Sequence, residues 1–210
     1  MSNDVIASNI STIAALNAAI DAAANEGASA TPYEIDLAAG ADIGLSQALE
    51  AINLKSGVTL DIVGNGATLD GENKSTGASY NQRGLFVYSG VVNISDLTVA
   101  NAKAIGGTGG SGDGAGGGGA GLGGGLFVAG ATTSGGGSAS GDPSQAVIPD
   151  VTITNVAFLN DSATGGVGGQ GGSNRFWSTG AGGGGSGGMG GASGSGAKRS
   201  DKSRRAAAAT

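Results

Sequence analysis

Short runs in which apolar and polar residues alternate recur from Tyr33 to Leu159. Tyr33, Ile35 and Leu37 alternate with polar neighbours, the period of two that places one set of side chains on one face of a strand. From Gly57 the pattern sharpens. Val58, Leu60 and Ile62 share a face, Gly64-Asn65-Gly66 makes a turn, and Ala67-Thr68-Leu69 resumes the strand. Leu85–Tyr88 (LFVY) is the next strand, and VVNISDLTVAN follows a break at Ser89-Gly90. Val92, Ile94, Leu97 and Val99 are its candidate inward residues, and the parity change between Ile94 and Leu97 predicts a bend near Ser95-Asp96. One segment has a different period. Ile10, Ile13, Leu16 and Ile20 fall at helical spacing and predict a short helix over Ser8–Ala24, capped by Ser8 or Asn9 and stopped at Asn25-Glu26-Gly27. Ser46–Leu54 fits either one or two helical turns or an irregular connection.

The strand pattern is written twice. GLFV at 84–87 returns at 125–128, and the stretch from Val92 to Gly110 returns from Val151 to Gly169. The second stretch is displaced further than the first, so an insertion lies between Ala131 and Asp150. A repeated two-strand unit with connections of variable length is the mark of a solenoid. TLDIV at 59–63 and LFVY at 85–88 are separated by nearly the length of one turn of such a coil.

Composition changes the second half of the picture. Ten of the 46 glycines lie in residues 1–100 and the other 36 in residues 101–210. Pro is scarce and no Gly-X-Y period runs through the chain, unlike collagen. Ordering such runs costs backbone entropy and packs few side chains, so they are expected as mobile or disordered loops protruding from one edge of the solenoid. The formal charge is −6; residues 198–205 contribute +4, leaving −10 on the remainder. An acidic body argues against nucleic acid as a partner. The absence of Cys and His removes thiol chemistry, the commonest general base and the commonest transition-metal ligand. No stretch of about 18 apolar residues predicts a membrane-spanning helix, and the first residues lack the pattern of a signal peptide.

DLAAGADI (36–43), SGVTLDIVGNGATLDG (56–71), RGLFVYSGVVNISDLTVANAKAIGG (83–107) and GLGGGLFVAGA with VTITNVAFLNDSATGGVGG (121–131 and 151–169) resemble the start of a bacterial passenger domain. The type is that of autotransporters, polymorphic outer membrane proteins and large adhesins. The resemblance covers residues 8–172. It implies an all-β fold, a right-handed parallel β-helix with a short N-terminal capping helix, to which the composition adds long Gly-rich loops and a disordered C-terminal tail. The polymorphic membrane proteins carry GG-[AIL]-[ILV] and FxxN repeats. Gly124-Gly125-Leu126 is similar to the first, with Phe127 in the aliphatic place; the second departs, since Asp161 stands where Asn is wanted and Asn160 comes one residue early. The expected divisions are a capping helix and strand over 1–40, coils with glycine insertions over 41–172, and a Gly-rich, then basic tail over 173–210. The switch to KRSDKSRRAAAAT reads as a truncated or frame-shifted end as readily as a natural tail.

Candidate chemistry is sparse. Asp61, Glu72, Asp70 and Asp96 fall on neighbouring strands and turns, where stacked carboxylates can hold Ca²⁺ or act as a hydrolytic pair. Turns use the same residues, and that is the reading adopted. The backbone style also resembles pectin-active enzymes, whose lyases need a basic residue near a Ca²⁺ site; Arg83 and Lys103 are the central candidates. Gly109–Gly114 (GGSGDG) misplaces the Asp of a calcium-binding nonapeptide, and no phosphate-cradling GxxxxGK[ST] occurs. Asn101 and Asn160 occupy equivalent corners and read as ladder residues bonding neighbouring backbone. Phe176 and Trp177 read as a local anchor, with glycan stacking as the alternative. The expectation is therefore a non-enzymatic, monomeric, structural or adhesin-like segment, extracellular or on the cell surface in association with the outer membrane. It has no catalytic, cofactor or metal residue assigned, and its partners are host or environmental glycans or surface proteins. The alternatives are a polysaccharide lyase or glycoside hydrolase on the same scaffold, and a Gly-rich wall or matrix protein.

Overall fold

A computed structural model of the chain describes residues 3–112, 115–130 and 148–170. The insertion after Ala131 and the Phe176-Trp177 pair, like the basic tail, lie outside the described residues. The described chain is mostly β with a single helix. It divides into two compact units, residues 1–105 with 121–165, and residues 106–120 with 166–210.

In the first unit β1 (Asp4–Ile10) precedes helix α1 (Ile13–Asn25). The helix therefore starts later than its apolar spacing predicts, because Asp4–Ile10 joins a sheet. Thr12, not Ser8 or Asn9, is the cap, its hydroxyl accepting from the Ala15 N–H at 3.3 Å. Ile13, Leu16, Ala19, Ile20 and Ala23 form the buried stripe. Asn17 ties the helix to the 46–52 segment, donating to the Ala48 carbonyl and accepting from the Glu50 N–H, both at 2.9 Å. That segment is irregular and ends in β4 (Ile52–Asn53).

The main sheet runs β1, β2 (Tyr33–Leu37), β5 (Thr59–Asp70), β9 (Val91–Ala100) and β12 (Asp150–Leu159), every pair parallel. A short strand, β3 (Asp42–Gly44), pairs the far end of β5. A second parallel sheet orders β11 (Leu126–Val128), β8 (Leu85–Ser89) and β4, and a third joins β10 (Lys103–Ile105) to β13 (Ser162–Thr164). β6 (Glu72–Asn73) and β7 (Ala78–Ser79) make a small antiparallel ribbon. The repeats seen in the sequence are these ladders: Leu85 faces Leu126, and Val92 faces Val151. The coil turn suggested by TLDIV and LFVY is corrected. Thr59 pairs with Val91, while Leu85 belongs to the second sheet. Two strands with the same alternation are indistinguishable in sequence, and only their partners tell them apart.

The inward residues are those the alternation marks. Val58, Leu60, Ile62, Val92, Ile94, Leu97 and Val99 are buried in one core with Leu16, Ile35, Leu54 and Leu85. At β12 this ends: Ile153 is 49% exposed and Phe158 39%, against 1% and 0% for their register partners Ile94 and Val99. β12 is the last strand of its ladder among the described residues.

The second unit overturns one expectation. Its described glycine runs are hydrogen-bonded to one another. Gly109 and Gly112 donate to Val167 and Gln170, Gly116 and Gly119 donate to Gly110 and Gly107, and Gly166 and Gly169 donate to Gly119 and Gly116, at 2.7–3.1 Å. Donors recur every third residue, the period of an extended threefold helix. Two segments run parallel, and the third runs antiparallel to both. A Cβ built on Gly106, Gly109, Gly118, Gly166 or Gly169 would strike backbone carbonyls of a neighbouring segment. Only glycine permits that approach, so inter-segment hydrogen bonds offset the entropy that ordering costs.

Candidate functional site

The four carboxylates singled out in the sequence are held in different surroundings. Asp61 sits on the outer side of β5 and accepts from Asn93 Nδ2 at 2.7 Å and Asn3 Nδ2 at 2.9 Å. Asp70 is buried at the end of β5, accepting from the Glu72 N–H at 2.9 Å and Asn101 Nδ2 at 3.0 Å. Glu72 lies in the ribbon of β6 and β7. Asp96 marks the bend inside β9, where its φ is +51° and it accepts from Asn155 Nδ2 at 2.5 Å. Among the described residues no group of three or more acidic, His or Cys side chains could hold a metal ion.

The bend explains the parity change. Every described non-glycine residue with positive φ is Asn or Asp: Asn9, Asn65, Asn81, Asp96, Asn101, Asn155 and Asn160. Their short polar side chains tolerate the left-handed region. Asp96 and Asn155 stack on adjacent strands, and Asn101 and Asn160 repeat the arrangement at the strand ends. Asn101 does serve a corner, but its side chain bonds the Asp70 carboxylate rather than backbone. Asn65, Asp96, Asn155 and their neighbours Leu97, Thr98 and Ala157 line a shallow concavity of about 390 Å³. It holds one carboxylate and no cation, so it offers no acid–base pair.

Asp161 is the remaining polar side chain of note. Its Oδ1 accepts from the Ala102 N–H at 2.8 Å, while Oδ2 is buried without a partner among the described residues. Burial pushes its carboxyl up, and the Ala102 N–H opposes this.

The second sheet presents aromatic residues. Leu85 and Val87 are buried, and between and beyond them Phe86 and Tyr88 point outward. Phe86 faces Phe127 across the ladder, ring centroids 5.2 Å apart. Tyr88 meets Phe86 edge-on at 6.2 Å, and the Arg83 guanidinium lies 5.6 Å from the Phe86 ring centre. The Lys103 N–H donates to the carbonyl of Gln82, the residue before Arg83, at 2.7 Å. Of the two cations that the lyase alternative singled out, Arg83 stands over an aromatic ring, and Lys103 lies on β10 in the third sheet. The signal for the aromatic cluster is the GLFV repeat, which places Phe at the same position twice.

No protein family, curated protein or solved structure matches this chain.

Proposed function

We propose that this chain is a non-enzymatic, structural or adhesin-like segment of a secreted or surface-exposed bacterial protein, folded as a right-handed parallel β-helix. The observation that carries the reading is the parallel ladder β2–β5–β9–β12, with the strands of a second ladder, β4–β8–β11, falling between them in sequence. Chains coil this way when each turn buries its apolar face on the next. The corner stack of Asn and Asp supports the same reading. Asp61, Asp70 and Asp96 each accept from the side-chain amide of an Asn on another segment, a ladder role that supports a scaffold over a hydrolase or lyase.

The test is incubation of the full chain with a panel of acidic and neutral polysaccharides, reading new reducing or unsaturated ends. No turnover is expected. Cleavage of a uronate polymer that disappears in Asp96→Ala or Arg83→Gln would make the enzyme reading the right one.

A further inference from the structure

The aromatic and cationic residues of the second sheet have a chemistry that the scaffold reading leaves unused. Core residues Leu85 and Val87 are already buried on the other side of β8. The outward rings Phe86 and Phe127 sit on adjacent strands at 5.2 Å, and Tyr88, 49% exposed, extends the surface along β8. Beside them the charge is unlike the rest of the chain. The cationic side chains among the described residues are Lys55, Lys74, Arg83 and Lys103. Lys74 is paired with Asp42 and Asp70, and Lys55 Nζ donates to the Asn25 carbonyl at 2.5 Å. No described carboxylate lies within ion-pair distance of Arg83 or Lys103. A chain of net charge −6 thus places Arg83, matched by no described carboxylate, against one aromatic platform.

That combination selects a ligand with an apolar face and a carboxylate. Rings offer broad apolar area with little side-chain entropy to lose, and Tyr adds a hydroxyl. A guanidinium matches a carboxylate in two parallel hydrogen bonds. A sugar ring bearing a carboxylate has both features, its C–H face for the platform and its acid for Arg83. A peptide anchor prefers a pocket to fill, whereas here the rings stand on the outer face of a sheet. A dense polyanion such as a nucleic acid would meet the acidic remainder of the chain.

We propose that the outer face of β8 and β11 binds an acidic saccharide, with Phe86, Tyr88 and Phe127 as the platform and Arg83 as the carboxylate partner. This deepens the scaffold reading and rests on it, giving the scaffold a ligand class.

The experiment is calorimetric titration of the full chain with a galacturonate hexamer and, separately, with the neutral galactose hexamer. The acidic oligomer should bind about 10-fold tighter or more, the equivalent of one charge-assisted contact. Arg83→Gln and Tyr88→Ala, both outward substitutions with folding checked by circular dichroism, should each weaken it about 10-fold. Equal affinity for both oligomers, unchanged binding by Arg83→Gln, or no binding by the folded chain would overturn the proposal. So would binding of a poly-glutamate peptide, lost in Arg83→Gln, with no saccharide bound; the face would then be a protein contact. Binding accompanied by cleavage of the galacturonate hexamer would keep the platform and overturn the non-enzymatic reading. Absence of both binding and cleavage would overturn the platform alone.

Discussion

Ile94 and Ile153 are the same residue in the same register on adjacent strands, yet one is 1% exposed and the other 49%. Equal chemistry in unequal surroundings should give unequal costs. Ile94→Ala is expected to destabilise the fold by about 2–5 kcal/mol, the range for a buried aliphatic, and Ile153→Ala by under about 1 kcal/mol. Urea denaturation of the two variants checks this, and equal losses would mean that Ile153 is covered. The corner residues give a second contrast. Asp96→Ala should cost about 1–2 kcal/mol for forcing a Cβ-bearing, non-Asx residue into positive φ, in addition to the lost acceptor for Asn155. Asp96→Asn should cost less, because Asn tolerates that φ and keeps an acceptor oxygen; the same denaturation series ranks the two. A third contrast concerns Asp161, whose carboxyl is raised by burial. A raised acid holds its proton more tightly in the folded chain, so its effect on stability is least harmful at low pH. The penalty grows as pH rises from the unfolded value of about 3.9 through the folded one. Asp161→Asn should therefore be the more stable form at neutral pH, with its advantage vanishing in acid. Denaturation at several values between roughly pH 3 and pH 7 reads it. At this scale the inward residues are legible, since alternation alone marks them. The positive-φ corners are legible only as a parity change, because Asn and Asp permit such a φ without requiring it.

Among the elements, the glycine segments differ most from what the sequence suggests. Ile, Thr and Ser recur every third residue at 105, 108 and 111, and Thr, Val and Gln at 164, 167 and 170, with glycine pairs between. That period of three is present to be read. It escapes any search for periods of two or 3.6, and its partners are distant in sequence. Gly166→Ala should disrupt the hydrogen bonds of this unit, since the added methyl meets the Gly107 carbonyl. Amide exchange of Gly109, Gly116 and Gly169 should quicken about 10-fold or more while that of Val92 and Ile94 in β9 stays slow. Unchanged glycine exchange would mean that the segments are not packed in solution. β1 escapes notice for a related reason: DVIASNI is short and does not alternate, its apolar Val5, Ile6 and Ala7 running together, and only its pairing with β2 makes it a strand. The aromatic platform is half legible, in the repeated GLFV with Arg83 just before its first copy, but only the ladder brings Phe86 and Phe127 together.

For the first unit as a whole, every functional statement stands on the parallel stacking of strands far apart in sequence. The chain contains no cysteine, so a pair can be introduced without interference. Thr98 and Ala157 are register partners on β9 and β12, and neither is part of the buried core. Parallel neighbours stand about 4.8 Å apart, inside the Cα range of about 4.4–6.8 Å that a disulfide needs. Oxidation of the Thr98→Cys, Ala157→Cys variant should close a cross-link between β9 and β12, and Thr98→Cys with Leu159→Cys, out of register, should close little. Failure of the first pair to form, or equal yields from both, would contradict the parallel stack and the reading built on it.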